Sequence, residues 1–137
     1  MHPMPFATRR NLLACIALGA ALLFAQTPPR AEQRFPDVVS AKVRASGSSS
    51  FDFDVTVSSP YDTPQRYADG FRVTTLDGEV LGERKLLHDH QSEQPFTRDL
   101  HSVTIPRHVG KVLIQARDRK HGYGGKAIEV ALPARGQ

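Results

Sequence analysis

A period of two constrains this chain more than any other feature. Phe51, Phe53, Val55 and Val57 alternate with Asp52, Asp54 and Thr56. Successive side chains leave opposite faces of an extended strand, so this spacing makes one apolar and one wet face. Phe71, Val73 and Thr75 alternate with Arg72 and Thr74 in the same way. Val112, Ile114 and Ala116 oppose Leu113, Gln115 and Arg117, and Ile128, Val130 and Leu132 oppose Glu129. Less regular strands are expected over residues 38–43, 80–87 and 96–105. Beyond the first thirty residues no segment carries the 3.6 period of a helix.

The segments between these runs have turn chemistry. Asp77-Gly78 lies between two strand patterns and favours a hairpin, since both residues tolerate a positive φ. Residues 46–50, 106–110 and 122–125 separate other pairs. Leu100 is out of step with Val103 and Ile105, which predicts a bulge or a late strand start near His101. About seven short antiparallel strands without helices predict a two-sheet sandwich over residues 32–137. A chain of 137 residues suits one such domain.

Residues 1–31 read as an address. Arg9 and Arg10 precede the apolar run 12–25, and no acidic residue occurs before Glu32. A charged-then-apolar order is that of an export signal, and fourteen apolar residues are short for a membrane span. The run Thr8-Arg9-Arg10-Asn11-Leu12-Leu13 resembles the twin-arginine export motif, without its usual aromatic and lysine, so the twin-arginine and general secretory routes both stay open. Leu12-Leu13-Ala14-Cys15 resembles a lipobox, but most of the apolar run follows Cys15 instead of preceding it. The expectation is therefore a discarded cysteine, with cleavage after Ala25 or Ala31 and a short polar linker.

Loss of that segment removes Arg9, Arg10 and Arg30, which leaves 15 basic residues against 14 acids. So small a net charge gives no electrostatic case for nucleic acid or for an anionic membrane. With Cys15 the single cysteine of the chain, no intrachain disulfide and no thiolate-rich metal site can form.

Seven strands in about a hundred residues resemble an immunoglobulin-like or fibronectin type III-like sandwich, with strands A, B, C, C′, E, F and G. The segments SPYDTPQRYADGFRV, VLGERKLLHDHQSEQPFTRDL and HGYGGKAIEVALP resemble those of a group of small exported bacterial proteins of unknown role. The resemblance implies a periplasmic or secreted location and a sandwich, and it carries no activity. The cysteine pair and core tryptophan of immunoglobulin domains are absent.

If each strand runs against its predecessor, the B–C, C′–E and F–G connections share one pole. That pole collects all three tyrosines, Tyr61, Tyr67 and Tyr123, with His88, His90 and His121. Function in a sandwich is usually carried by loops on a rigid frame. Tyrosine offers a large contact area at small entropic cost, so Tyr61, Asp62, Arg66, Tyr67, Asp89 and Tyr123 are candidate binding residues for a protein, peptide or cell-envelope component. Gly122, Gly124 and Gly125 are expected to let Tyr123 stand out from a tight turn. The alternative for Tyr61 and Tyr67 is that they pack under their own loop, with Arg66 paired to Asp62 or Asp69. His88 and His90 face one side of an extended chain, and with His121 or an acid they could hold zinc or copper.

Enzyme chemistry is less well served. No serine lies in a nucleophile elbow, and the glycines of HGYGGK lead into a strand where a phosphate loop needs a helix. The expectation is a non-catalytic binding or accessory module without a required cofactor. Its alternative is a metal carrier centred on His88 and His90.

Overall fold

In the computed structural model, which describes residues 2–4, 19–25 and 32–137, the alternating segments become strands. They are β1 (Asp37–Ala45), β2 (Ser50–Ser58), β3 (Ala68–Thr74), β4 (Val80–Lys85), β5 (Phe96–Thr104), β6 (Lys111–Asp118), β7 (Gly122–Tyr123) and β8 (Ile128–Ala131). Met1–Arg30 and Ala31–Gln137 form separate units. Most of the expected export segment, including Arg9, Arg10 and Cys15, lies outside the described residues. Residues 2–4 and 19–25 carry no regular secondary structure. No helix among the described residues is long and apolar enough to cross a membrane.

The strands of Ala31–Gln137 form two antiparallel sheets, β1-β2-β5 and β4-β3-β6, with both β7 and β8 paired to β6. Their apolar faces meet in one core. Phe51, Phe53, Val55 and Val57 of β2 are fully buried beside Phe71 and Val73 of β3 and Val112, Ile114 and Ala116 of β6. Val130 packs against this cluster from β8. Burial of these faces, worth roughly 1.5–3 kcal/mol per large side chain, selects the register.

The expected irregularity in β5 is a bulge. Phe51 pairs with Val103 but Phe53 pairs with Leu100, so β5 holds one more residue than β2 across that interval. Ser102 has a φ of 55°, and its N–H donates to Asp52 Oδ1 at 2.8 Å. The extra residue brings both Leu100 and Val103 to the inner face. In the β3–β4 hairpin only Gly78 takes the positive φ, 96°.

The last expected strand is β8, and a further two-residue strand, β7, lies in the segment 122–125 that was expected to be only a turn. β7 pairs with the end of β6 and β8 with its beginning, and residues 35–37 press into the gap. Lys126 N–H donates to Asp37 Oδ1 at 2.7 Å, and Val38 N–H donates to the Lys126 carbonyl at 2.8 Å. A Cβ on Gly125 would lie 2.3 Å from the Pro36 carbonyl oxygen, and one on Gly124 would meet the Phe35 ring at 2.4 Å. These glycines serve close packing of the incoming chain, not the projection of Tyr123.

Candidate functional site

The connections 59–67, 86–95 and 119–121 meet at one pole, held by two buried carboxylates. Asp62 is 1% exposed. Its Oδ1 accepts the Ala68 N–H at 3.1 Å and its Oδ2 the His90 N–H at 3.0 Å. One side chain thus closes its own loop and ties it to the next. Gln94 supports the same junction, accepting the Ser59 N–H at 2.8 Å and donating to the His90 carbonyl at 3.1 Å.

Asp118 ends β6 in the same phase as Val112, Ile114 and Ala116, so it is driven inward and is fully buried. It accepts the Tyr61 hydroxyl at 2.7 Å and the N–H groups of Lys120 and His121 at 2.9 and 2.8 Å. Burial opposes its ionisation, but these donors and the nearby Arg66 outweigh it and hold the carboxyl below the usual range. Burial, then Asp118, pushes the Tyr61 hydroxyl far up, so it stays a donor.

Arg66 is consumed by structure. Its Nε lies 3.3 Å from Asp118 Oδ1, close enough to pair but misaligned for a hydrogen bond. Its terminal nitrogens reach Glu32 and the carbonyls of Gln33 and Arg34, and the guanidinium lies 4.3 Å from the Tyr61 ring centroid. The expected partners Asp62 and Asp69 are engaged elsewhere. Asp62 serves backbone N–H groups, and Asp69 pairs with Arg117.

The HDH segment is organised by its middle residue and its last. Asp89 Oδ2 accepts the Gln91 N–H at 3.2 Å, an Asx turn, and His88 Nδ1 donates to the Asp89 carbonyl at 2.8 Å. His90 is only 5% exposed and stacks on Phe96 with ring centroids 3.9 Å apart. The His88 and His90 rings lie 4.9 Å apart. His121 is not part of this pair, since its ring meets Phe35 edge-on at 6.0 Å. Among the described residues no three His, Cys, Asp or Glu side chains gather as a metal centre. The structure therefore joins two of the three candidate ligands.

Tyr67 is nearly buried, with its hydroxyl donating to the Leu87 carbonyl at 3.3 Å. Tyr123 is not at a loop tip. It sits in β7 on the outer face of the larger sheet, with the Arg72 guanidinium 3.7 Å from its ring centroid and its hydroxyl 3.4 Å from Glu83. Between Tyr67 and Tyr123 runs an open cleft of about 490 Å³. Its floor includes Gly70, where a side chain would strike the Arg84 carbonyl, and its walls include Asp69, Arg117, Lys85 and Leu87. Asp69 and Arg117 form an ion pair, and Asp69 Oδ1 is buried with no hydrogen-bond partner among the described residues. Leu87 is 83% exposed at the rim.

Of the candidate binding residues, Tyr67 and Tyr123 line this cleft, while Tyr61, Asp62, Arg66 and Asp89 build the pole around it. Sequence reasoning missed Asp69, Arg117 and Asp118 as members. A signal existed for Asp118, an acid in the buried phase of a strand.

Comparison with known proteins adds one relative. No family model matches the chain, and no solved structure matches it. Over 97 residues the chain is 38% identical to a Halomicrobium mukohataei protein named "Putative lipoprotein", a match covering 71% of this chain and 47% of that protein. The chain thus spans about half the length of that curated relative.

Proposed function

We propose that this chain is an exported sandwich of the fibronectin type III-like kind that binds a cell-envelope partner, without catalysis, through the cleft between Tyr67 and Tyr123. The fold-type reading is supported by the strand partition β1-β2-β5 against β4-β3-β6-β8, which corresponds to A-B-E against C′-C-F-G. Export is supported by the order of residues 1–31 and by the name of the Halomicrobium mukohataei relative. The observation that carries the binding role is the cleft itself, a concave site with two anchored tyrosines on the outer face of the larger sheet, where Tyr67 and Leu87 of two locked loops border β3, β4, β6 and β7. A surface fixed before binding loses little entropy on contact.

A photo-crosslinking residue at Leu87 tests this in living cells. Adducts from Leu87 that vanish on Tyr123→Ala are expected, with none from the same residue at His108, which lies in the β5–β6 connection beside the β3–β4 turn. Equal labelling from both positions, or none from Leu87, overturns the role.

A second reading is a zinc or copper ion at His88 and His90. One observation favours it. The His88 Nδ1 proton is committed to the Asp89 carbonyl, which leaves Nε2 of the neutral ring with a lone pair, and the His90 ring centroid lies 4.9 Å from that of His88. Remaining ligands would then come from solvent or a partner.

A further inference from the structure

We propose that the cleft between Tyr67 and Tyr123 holds a pyranose unit of an envelope glycan, with the Tyr123 ring as its platform and the Asp69–Arg117 pair as its hydroxyl clamp. The proposal rests on the binding role above and names the ligand class for that same site.

The platform is built before any ligand arrives. Arg72 lies over the Tyr123 ring at 3.7 Å, and Glu83 restrains the hydroxyl from β4. A supported ring keeps one orientation. The flat face of a pyranose presents C–H groups of slight positive character, which suit the negative face of an aromatic ring. Tyr67, anchored to the Leu87 carbonyl, borders the opposite side of the cleft.

The clamp supplies the polar half. Asp69 sits where the β3–β6 register shifts between Ala68 and Gly70, which turns its carboxylate toward Arg117. One oxygen engages the guanidinium, and the other is buried without a donor. Arg117 still has a partly exposed side chain, 40%, with further N–H groups to give. The accessible part of the Asp69 carboxylate, whose side chain is 19% exposed, and a guanidinium with donors to spare match a vicinal diol, whose neighbouring hydroxyls each donate and accept.

Peptide capture by strand addition fits this floor poorly. Gly70 belongs to β3, an inner strand paired with Lys85 of β4 on one side and Arg117 of β6 on the other. Its backbone groups are spent within the sheet, so recognition must come from side chains. The volume, about 490 Å³, falls within the usual range for small-ligand sites.

The test is NMR titration of the isotope-labelled protein with cellobiose, chitobiose and a blocked trialanine peptide. Expected are shifts confined to Tyr67, Asp69, Arg117 and Tyr123 with at least one disaccharide. Tyr123→Ala should weaken that binding about tenfold, the scale of one aromatic contact, while Tyr123→Phe should keep it. Asp69→Asn should also weaken it; a thermal melt identifies any variant that has lost its fold, and Lys85→Ala then serves as a second probe of the cleft wall. If the peptide shifts these residues and neither sugar does, the glycan assignment falls while the binding role stands. If neither sugar acts and Leu87 also yields no crosslink, both fall.

Discussion

The Asp62 carboxylate accepts the backbone N–H of His90 at 3.0 Å across two connections that lie 28 residues apart in the chain. Both groups are buried, and the second carboxylate oxygen serves Ala68. Asp62 therefore ties the 59–67 loop to the 86–95 loop, alongside the Gln94 and Tyr67 contacts.

Asp62→Ala strands two buried donors at once. The expected loss is about 2–4 kcal/mol, measured by urea unfolding, because hydrogen bonds to charged groups are the stronger kind and unmet donors add their own penalty. The amide of His90 should also exchange with solvent much faster. A loss within about 0.5 kcal/mol would mean that the loops hold together without this carboxylate.

Phe53 tests the core. It is fully buried at the centre of β2. Phe53→Ala should cost roughly 3–5 kcal/mol, a large share of the stability of a small domain. A cost below about 1 kcal/mol would contradict the inward phase of that strand.

The strands were legible because burial on one face enforces a period of two, and Phe51 to Val57 carry that period without a flaw. Even the β5 bulge could be read, since Leu100 and Val103 cannot share a face unless one residue is added between them. β7 was not legible. Two residues hold no period, and their pairing depends on Phe35 and Pro36 pressing against Gly124 and Gly125 from far away in sequence. Alternating strand direction brought the loops of Tyr61, Tyr67 and His90 together as expected, but Tyr123 lies in a strand on the sheet face, and the wiring of the pole was not legible. Arg66 reaches Asp118 and not Asp69 because the register of β6 sets which carboxylate lies beneath it. Tyr123 faces outward on the sheet for the same reason, through its pairing with Arg117.

Two histidines should give opposite pH dependences. Burial first, then Arg98 and His88, holds the His90 ring below the ordinary imidazole value of 6.5, against the smaller pull of Asp62 and Glu93. The unfolded chain gains a proton as pH falls through that value while the folded chain resists. Stability from this group is therefore full above 6.5 and is lost as pH drops toward the folded value. His101 is raised, chiefly by Asp99 and then by Asp52, with Nε2 2.7 Å from Asp99. Its contribution is present below 6.5 and fades as pH rises through the folded value. Imidazole shifts followed by NMR should show His90 titrating below and His101 above the free residue. Between about pH 7.5 and 5.5 the urea midpoint should fall less in His90→Phe than in the unaltered protein, and more in His101→Ala. The reverse order would overturn both assignments.

Export is tested at the amino terminus. Intact-mass measurement on protein from the producing cells should find a chain shortened at Ala25 or Ala31. An acylated Cys15 at a new terminus would instead make the chain a lipoprotein, in line with the name of its relative. Replacing Arg9 and Arg10 with lysine should stop export through the twin-arginine route, which reads the pair. Undiminished export would assign the general route.

The imidazole pair at His88 and His90 makes a limited metal site at best, and its limits are measurable. A structural zinc centre with four protein ligands binds with roughly 10–16 kcal/mol, so two ligands with solvent completing the shell should supply about half. The expected dissociation constant is then about 1 µM to 0.2 mM. His90 is held neutral by burial, which leaves it free of a proton that a metal would have to displace near neutral pH. Calorimetry with zinc and copper should show one weak site that disappears on joint replacement of His88 and His90. His121→Ala should leave it unchanged, because that ring is engaged with Phe35. Binding should also fade as pH falls through the lowered His90 value and that ring takes up a proton. Ion binding that survives loss of both histidines, or that depends on His121, would remove the metal reading of this loop. The histidines would then serve the pole only through the stack on Phe96 and the turn at Asp89.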